Sequence, residues 1–270
     1  MSRADIKNVL SVAGSDPSGG AGIQADLKTF AARGTYGMAA LTALTAQNTQ
    51  GVTGVHAVPA DFVANQIRSI FLDVRVDAVK IGMIANAEIA EAVAEVLRPY
   101  RDTVPIVLDP VMIAKGGSPL LALDAVDAVT DKLMPLAAVV TPNLPEAAAL
   151  LGETIAATRE EMAAQAERLL KIGPKAVLVK GGHLEGEDSP DVLADASGIH
   201  WFEGRRTATR NTHGTGCTLS SAIAAELAKG ASPAHAVAVA KTYLAGAIAA
   251  ADTLTVGTGH GPVSHFYEWW

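Results

Sequence analysis

Short runs of aliphatic and β-branched residues alternate along this chain with longer amphipathic stretches rich in alanine. The runs at 8–13, 38–47, 78–81, 105–109, 138–141 and 176–180 predict strands. Each is nearly continuous in apolar residues, the pattern of strands covered on both faces. The stretches at 22–33, 60–71, 87–97, 159–172, 215–228 and 233–251 predict helices. In the fifth, Leu219, Ile223 and Leu227 recur at i, i+4 and i+8 as a packing stripe. The last has Ser232 as N-cap and Pro233 at its first position. Residues 191–202 read as a hairpin turning at Ala196, Ser197 and Gly198. Alternating strands and helices indicate βαβ units, so residues 1–270 read as one doubly wound α/β domain on a mainly parallel sheet, helices on both faces.

Such sheets place their ligands beyond the carboxyl ends of the strands. The segments that follow the six strands are SDPSGGAG, QNTQG, GM, DPVM, TPNLPE and GGH. Polar and glycine-rich stretches at six such points suggest one shared site.

Composition narrows the chemistry. The net charge of −7 argues against a general nucleic-acid binder, which needs a basic face. A single cysteine excludes an intrachain disulfide and any CxxC zinc site, and the seven histidines form no HExxH pair. The N-terminal run MSRADIKNVLSV is too short in apolar residues for a signal peptide. The apolar stretch 243–251 is too short to span a bilayer. A cytoplasmic protein without a membrane partner is the expectation.

The only cysteine, Cys217, lies in NTHGTGCTLS, behind Gly214 and Gly216 at a predicted helix start. Free amides and the positive dipole end make that place an anion site suited to a phosphoryl group. A thiolate there is favoured, so the thiol pKa should fall and Cys217 could take a proton from a substrate hydroxyl. Cys217 reads equally well as a small buried apolar side chain. In GSDPSGGAGIQADLK, Gly14, Gly19, Gly20 and Gly22 allow close backbone approach, and Asp26 could bond a polar ring. Asp109 in DPVM and Glu146 in TPNLPE stand just past strand ends, as Mg²⁺ ligands or as helix caps. Lys180 in VLVKGGH must reach either solvent or an anion such as phosphate. The chain has no GxxxxGK[ST], no GxGxxG and no GxSxG.

VAGSDPSGGAGIQADLKTF, TALTAQNTQGV, VKIGM, VLDPVM, VTPNLPEA, VKGGH and THGTGCTLSSAIAA follow one another in the order of a known family. The sequence resembles the ribokinase-like superfamily, and within it the hydroxymethylpyrimidine/phosphomethylpyrimidine kinases of thiamine biosynthesis, over essentially its whole length. The resemblance implies a homodimer that uses ATP and Mg²⁺ to phosphorylate 4-amino-5-hydroxymethyl-2-methylpyrimidine twice. It further implies that Gln47 bonds the aminopyrimidine edge, with Met83 and Val111 against the ring. Ala21 and Asp26 would lie at the same pocket. Lys180 would contact ATP phosphates with Asn143 nearby, and Asp109 and Glu146 would serve Mg²⁺. Gly214, Thr215, Gly216 and Cys217 would supply the anion hole and the base. A pyridoxal kinase is the nearest alternative, and a binding protein without turnover is a second.

Overall fold

A computed structural model describes residues 5–112 and 123–270, so the first residues of the N-terminal run lie outside it. Its main sheet has eight strands: β1 (Asn8–Ala13), β2 (Tyr36–Leu41), β5 (Ala78–Ile81), β6 (Ile106–Leu108), β7 (Val139–Val140), β8 (Ala176–Lys180), β9 (Asp191–Asp195) and β10 (Gly198–Phe202). Their spatial order is β10-β9-β8-β7-β6-β5-β1-β2. All neighbours pair parallel except β8 with β9 and β9 with β10, the hairpin read from the sequence.

Side chains that alternate along the strands build two cores. Leu10, Val12, Val79, Ile81, Ile106, Leu108, Val177 and Val179 pack under α2 (Ala60–Asp73), α3 (Ala87–Leu97), α5 (Leu144–Leu151) and α6 (Arg159–Leu170). Val9, Ala78, Val107, Val139 and Leu178 face the other way, toward α1 (Gly22–Ala32), α7 (Thr215–Ala228) and α8 (Pro233–Ala249). Both faces bury apolar strand residues, which is why the strands read as unbroken hydrophobic runs. A short α4 (Leu123–Ala128) lies between β6 and β7. Ser232 caps α8 by accepting from the His235 amide, with Pro233 in the first turn.

Three features differ from the sequence reading. The run 38–47 is not one strand. Thr42 breaks it: its amide donates to Ala13 O, its carbonyl accepts from Val58 N, and its hydroxyl donates to Met83 O. The chain then leaves the sheet as an antiparallel flap of β3 (Ala43–Asn48) and β4 (Gly51–Ala57), bulged between Ala46 and Gln47. A helix not read from the sequence, α5, starts within TPNLPE. The apolar C-terminal stretch also runs further than 243–251. Pro233–Thr253 is 21 residues with mean hydropathy 1.3, long and apolar enough to cross a bilayer by length and composition alone. Here its Ala236, Val237, Ala240, Tyr243 and Ala247 are buried, and α8 packs on α7.

From β1 the chain winds first to β2 and then, past the flap and α2, to β5 on the other side of β1. The strand order therefore reverses between β1 and β5, the place where open sheets form a ligand crevice.

Candidate active site

The carboxyl ends of β1 and β5 meet at that crevice. Gly14 follows β1 and Met83 follows β5, and a Cβ on Gly14 would stand 3.1 Å from Met83 Sδ. Gln47 reaches the same region from the flap, where the bulge at Ala46/Gln47 sets its direction. Its amide nitrogen is 3.4 Å from His213 Nε2. The Ala21 amide is fixed by a 2.8 Å bond to Asp16 Oδ2. Val111 is partly buried, its amide turned back onto Asp109 O.

The start of α7 closes the crevice. Gly214 is its N-cap in the left-handed region, φ +79°, and a Cβ there would fall 1.8 Å from Gly20 O. Only glycine permits that approach between the two glycine-rich segments. Among the first-turn amides, Thr215 makes only a long bond of 3.4 Å to Thr212 O, and Gly216 and Cys217 have no acceptor one turn earlier in the helix, so together they present a positive end. A Cβ on Gly216 would lie 3.4 Å from Lys180 Nζ and 3.5 Å from Asp109 Oδ2. The helix start, the lysine that ends β8 and the carboxylate after β6 thus converge.

Lys180 binds Asp109 Oδ1 at 2.9 Å and stands 4.0 Å from Glu146 Oε2. Burial works against the ammonium, but Asp109 and Glu146 outweigh it and raise Lys180 above its ordinary range. Burial likewise opposes the Asp109 carboxylate, yet Lys180 and Lys80 hold it below its ordinary range. Thr141 Oγ1 also donates to Asp109. Burial, with Asp109 beside it, pushes Glu146 up to about 7 against the pull of Lys180. Asn143 is the N-cap of α5: its side chain accepts from the Glu146 amide, and Glu146 Oε2 accepts from the Asn143 amide. The cap that the sequence allowed for Glu146 and its place beside Lys180 are both real.

Two expectations are corrected. Asp26 does not open onto the ring pocket. Its carboxylate is fully buried and occupied by Lys80 Nζ at 2.8 and 2.9 Å, Ser11 Oγ at 2.6 Å and Ser221 Oγ at 2.7 Å. The second concerns Cys217, whose thiol is pushed up to about 11 rather than down. Desolvation is the largest cause even though the residue is only partly buried, and the nearby Asp26 and Asp109 charges add to it. Lys80 and the Gly22 amide pull the other way and lose.

Three side chains of this region were not singled out from the sequence. Lys80 is one, and a lysine inside the otherwise apolar AVKI was a legible sign of a buried partner. Asp16 and His213 are the others, each inside a quoted motif. His213 Nε2 lies 2.7 Å from Asp16 Oδ2. Burial raises Asp16, but hydrogen bonds from His213 and Ser18 outweigh it and hold the carboxyl at about 2. Among the described residues no three His, Cys, Asp or Glu side chains gather as a metal cluster. A cavity of about 360 Å³ lies elsewhere, between α8 and Tyr267–Glu268, and shares no residue with this site.

The chain is similar to proteins of known identity. The family model described as phosphomethylpyrimidine kinase matches residues 16–264. The chain is 54% identical over 263 residues to the hydroxymethylpyrimidine/phosphomethylpyrimidine kinase of Escherichia coli (strain K12), covering 97% of this chain and 98% of that one. The solved phosphomethylpyrimidine kinase of Clostridium difficile 630 superimposes with a TM-score of 0.78 at 43% identity, over 88% of this chain and 97% of that one. The pyridoxal kinase of Bacillus subtilis, solved as an ADP complex, superimposes with a TM-score of 0.88 at 37% identity, over 97% and 98%. With the match unbroken from the Asp16 loop to the C-terminal segment behind His213, the chain belongs to the phosphomethylpyrimidine kinase family.

Proposed function

We propose that this chain is a bifunctional kinase of thiamine biosynthesis. It transfers the ATP γ-phosphoryl to the hydroxymethyl of 4-amino-5-hydroxymethyl-2-methylpyrimidine, and then a second phosphoryl to the monophosphate. The observation that carries this reading is the convergence of the α7 start, Lys180 and Asp109 beside a crevice that holds Gln47 and Met83. It joins an anion site to a pocket with one polar edge and one apolar wall.

Within this reading, the Gln47 amide meets the aminopyrimidine edge while Met83 and Val111 flank the ring. Lys180 and the amides of Gly214, Thr215 and Gly216 offset charge on the moving phosphoryl group, with Asn143 at the nucleotide side. Donors preset at that position are worth more than donors recruited from water. Asp109 and Glu146 fit a magnesium nucleotide: both offer hard oxygens, and Glu146, raised by burial, lacks a full counter-charge. Mg²⁺ held there would supply positive charge to offset that on the phosphate oxygens.

Cys217 accepts the hydroxyl proton. A thiol near 11 is rarely ionised at neutral pH, but its thiolate is a strong base. The loose transition state of phosphoryl transfer asks for that proton only late. The chain acts in the cytoplasm as a homodimer, a reading supported by the exposed Tyr36 on the edge strand and Leu44 and Val55 on the flap. A pyridoxal kinase activity is the second reading, favoured by the fold shared with the Bacillus subtilis enzyme.

Mass spectrometry of products after incubation with Mg-ATP tests both. Mono- and then diphosphorylated pyrimidine is the expected result. Pyridoxal phosphate alone would keep the chemistry and overturn the ring assignment.

A further inference from the structure

His213 and Asp16 have no part in the chemistry above, yet they join four segments of the site. Asp16 is 1% exposed and His213 7%, and their atoms meet at 2.7 Å. Asp16 Oδ1 takes the Ser18 amide and hydroxyl at 2.9 and 2.7 Å, and Oδ2 also takes the Ala21 amide. The His213 ring lies flush under Gly20, where a Cβ would come within 2.5 Å of Cδ2. Its own amide donates to Gly261 O, which anchors the residue next to Gly214. The Gln47 amide nitrogen, 3.4 Å from the same Nε2, completes the set.

A ring nitrogen carries at most one proton. Every oxygen of an ionised Asp16 is an acceptor, so the proton on Nε2 points to Asp16. That nitrogen then has no lone pair left for Gln47. We propose that Asp16 and His213 are the positioning pair of the ring pocket, holding Nε2 as a donor so that the neighbouring Gln47 amide keeps its hydrogens for the ring. The same carboxylate fixes the Ala21 amide, so one buried pair holds both the glycine-rich loop and the surroundings of Gln47. This rests on the reading that Gln47 meets the substrate ring.

The test is a double-mutant cycle on Gln47→Ala and His213→Ala, following KM and kcat for the pyrimidine and KM for ATP, with calorimetric binding of the pyrimidine alone. Each single variant is expected to raise the pyrimidine KM about tenfold with kcat and the ATP KM nearly unchanged, the signature of lost ring binding. The double variant should be no worse than either single, because His213 acts through Gln47. His213→Gln, which keeps a donor toward Asp16, should recover most of the affinity. If His213→Ala does not fold, Asp16→Asn carries the same expectation. A carboxamide in place of the Asp16 carboxylate has one acceptor oxygen, which cannot serve the Ser18 side and the His213 side at once. Additive losses, or equal rises in both KM values, overturn the pairing. An unchanged pyrimidine KM in Gln47→Ala overturns the ring assignment and the inference with it.

Discussion

Lys80 and Asp26 form an ion pair with both side chains fully buried, at 2.8 Å beneath the first turns of α7. Replacing Lys80 with methionine keeps the volume of the stem and leaves Asp26 as a buried charge without a counter-ion. Breaking such a pair from one side costs about 3–5 kcal/mol. Asp26 retains the Ser11 and Ser221 hydroxyls, so the lower end applies. At about 3 kcal/mol, the melting temperature should drop by roughly 6–12 °C for a chain of this size. Lys80→Met/Asp26→Asn removes both charges and leaves a neutral carboxamide able to bond both serines, so it should return to within about 1 kcal/mol of the parent. Urea unfolding and calorimetry without nucleotide read both numbers. A loss below about 1 kcal/mol in Lys80→Met, or a double variant as unstable as the single, would show that the pair is not the buried unit described.

Other consequences can be measured in the same protein. Cys217 is the only cysteine, so iodoacetamide reports it alone; its alkylation rate should keep rising past pH 9 toward an apparent pKa of about 11, and a plateau below pH 9 would contradict the burial argument. Cys217→Ala should lose most turnover and keep pyrimidine affinity, while comparable turnover would remove its role as base. Gly216→Ala should fold as well as the parent, since its nearest neighbours stand 3.4 and 3.5 Å from the new carbon, yet kcat/KM should fall at least about tenfold because the methyl occupies the anion site. Gly214→Ala should be destabilised outright by about 2 kcal/mol or more, and equal melting temperatures for the two variants would refute the distinction. His265 is buried and pushed down to about 4 from 6.5, so the unfolded chain binds the extra proton and the His265 contribution to stability falls as pH drops from 6.5 toward 4, while Glu146, raised to about 7, contributes in the opposite sense between 7 and 4.5. Asp16, at about 2, adds a second loss below about 3.8. His265→Gln should leave the Glu146 contribution unopposed, so that stability rises as pH drops from 7 toward 4.5, and a profile unchanged from the parent would remove His265 as a source.

What the sequence disclosed, and what it hid, follows from the range of each interaction. Strand and helix periodicity is local, so β1, β5 and α7 were legible almost to the residue. The break at Thr42 was not, because three bonds from Ala13, Val58 and Met83 turn the chain there, and an apolar run carries no mark of them. A cap at Glu146 was allowed by the sequence, but the short helix behind it was not read, although Asn143 and Glu146 stand at the spacing of a capping box. Asp26 was misplaced for a related reason. A carboxylate in the first turns of a helix after a glycine-rich loop looks like a ligand group, and only the lysine on β5 shows that it faces inward. Cys217 carries the sharpest case. Helix-end electrostatics, a local rule, favours the thiolate, but Asp26 and Asp109 arrive from α1 and β6, more than a hundred residues away in sequence, and together with burial they reverse the sign. The consequence for catalysis is that the Lys80, Asp26 and Asp109 charges bias the charge state of this thiol on top of its desolvation, so substitutions at those three positions should act on turnover through Cys217 as well as through their own contacts.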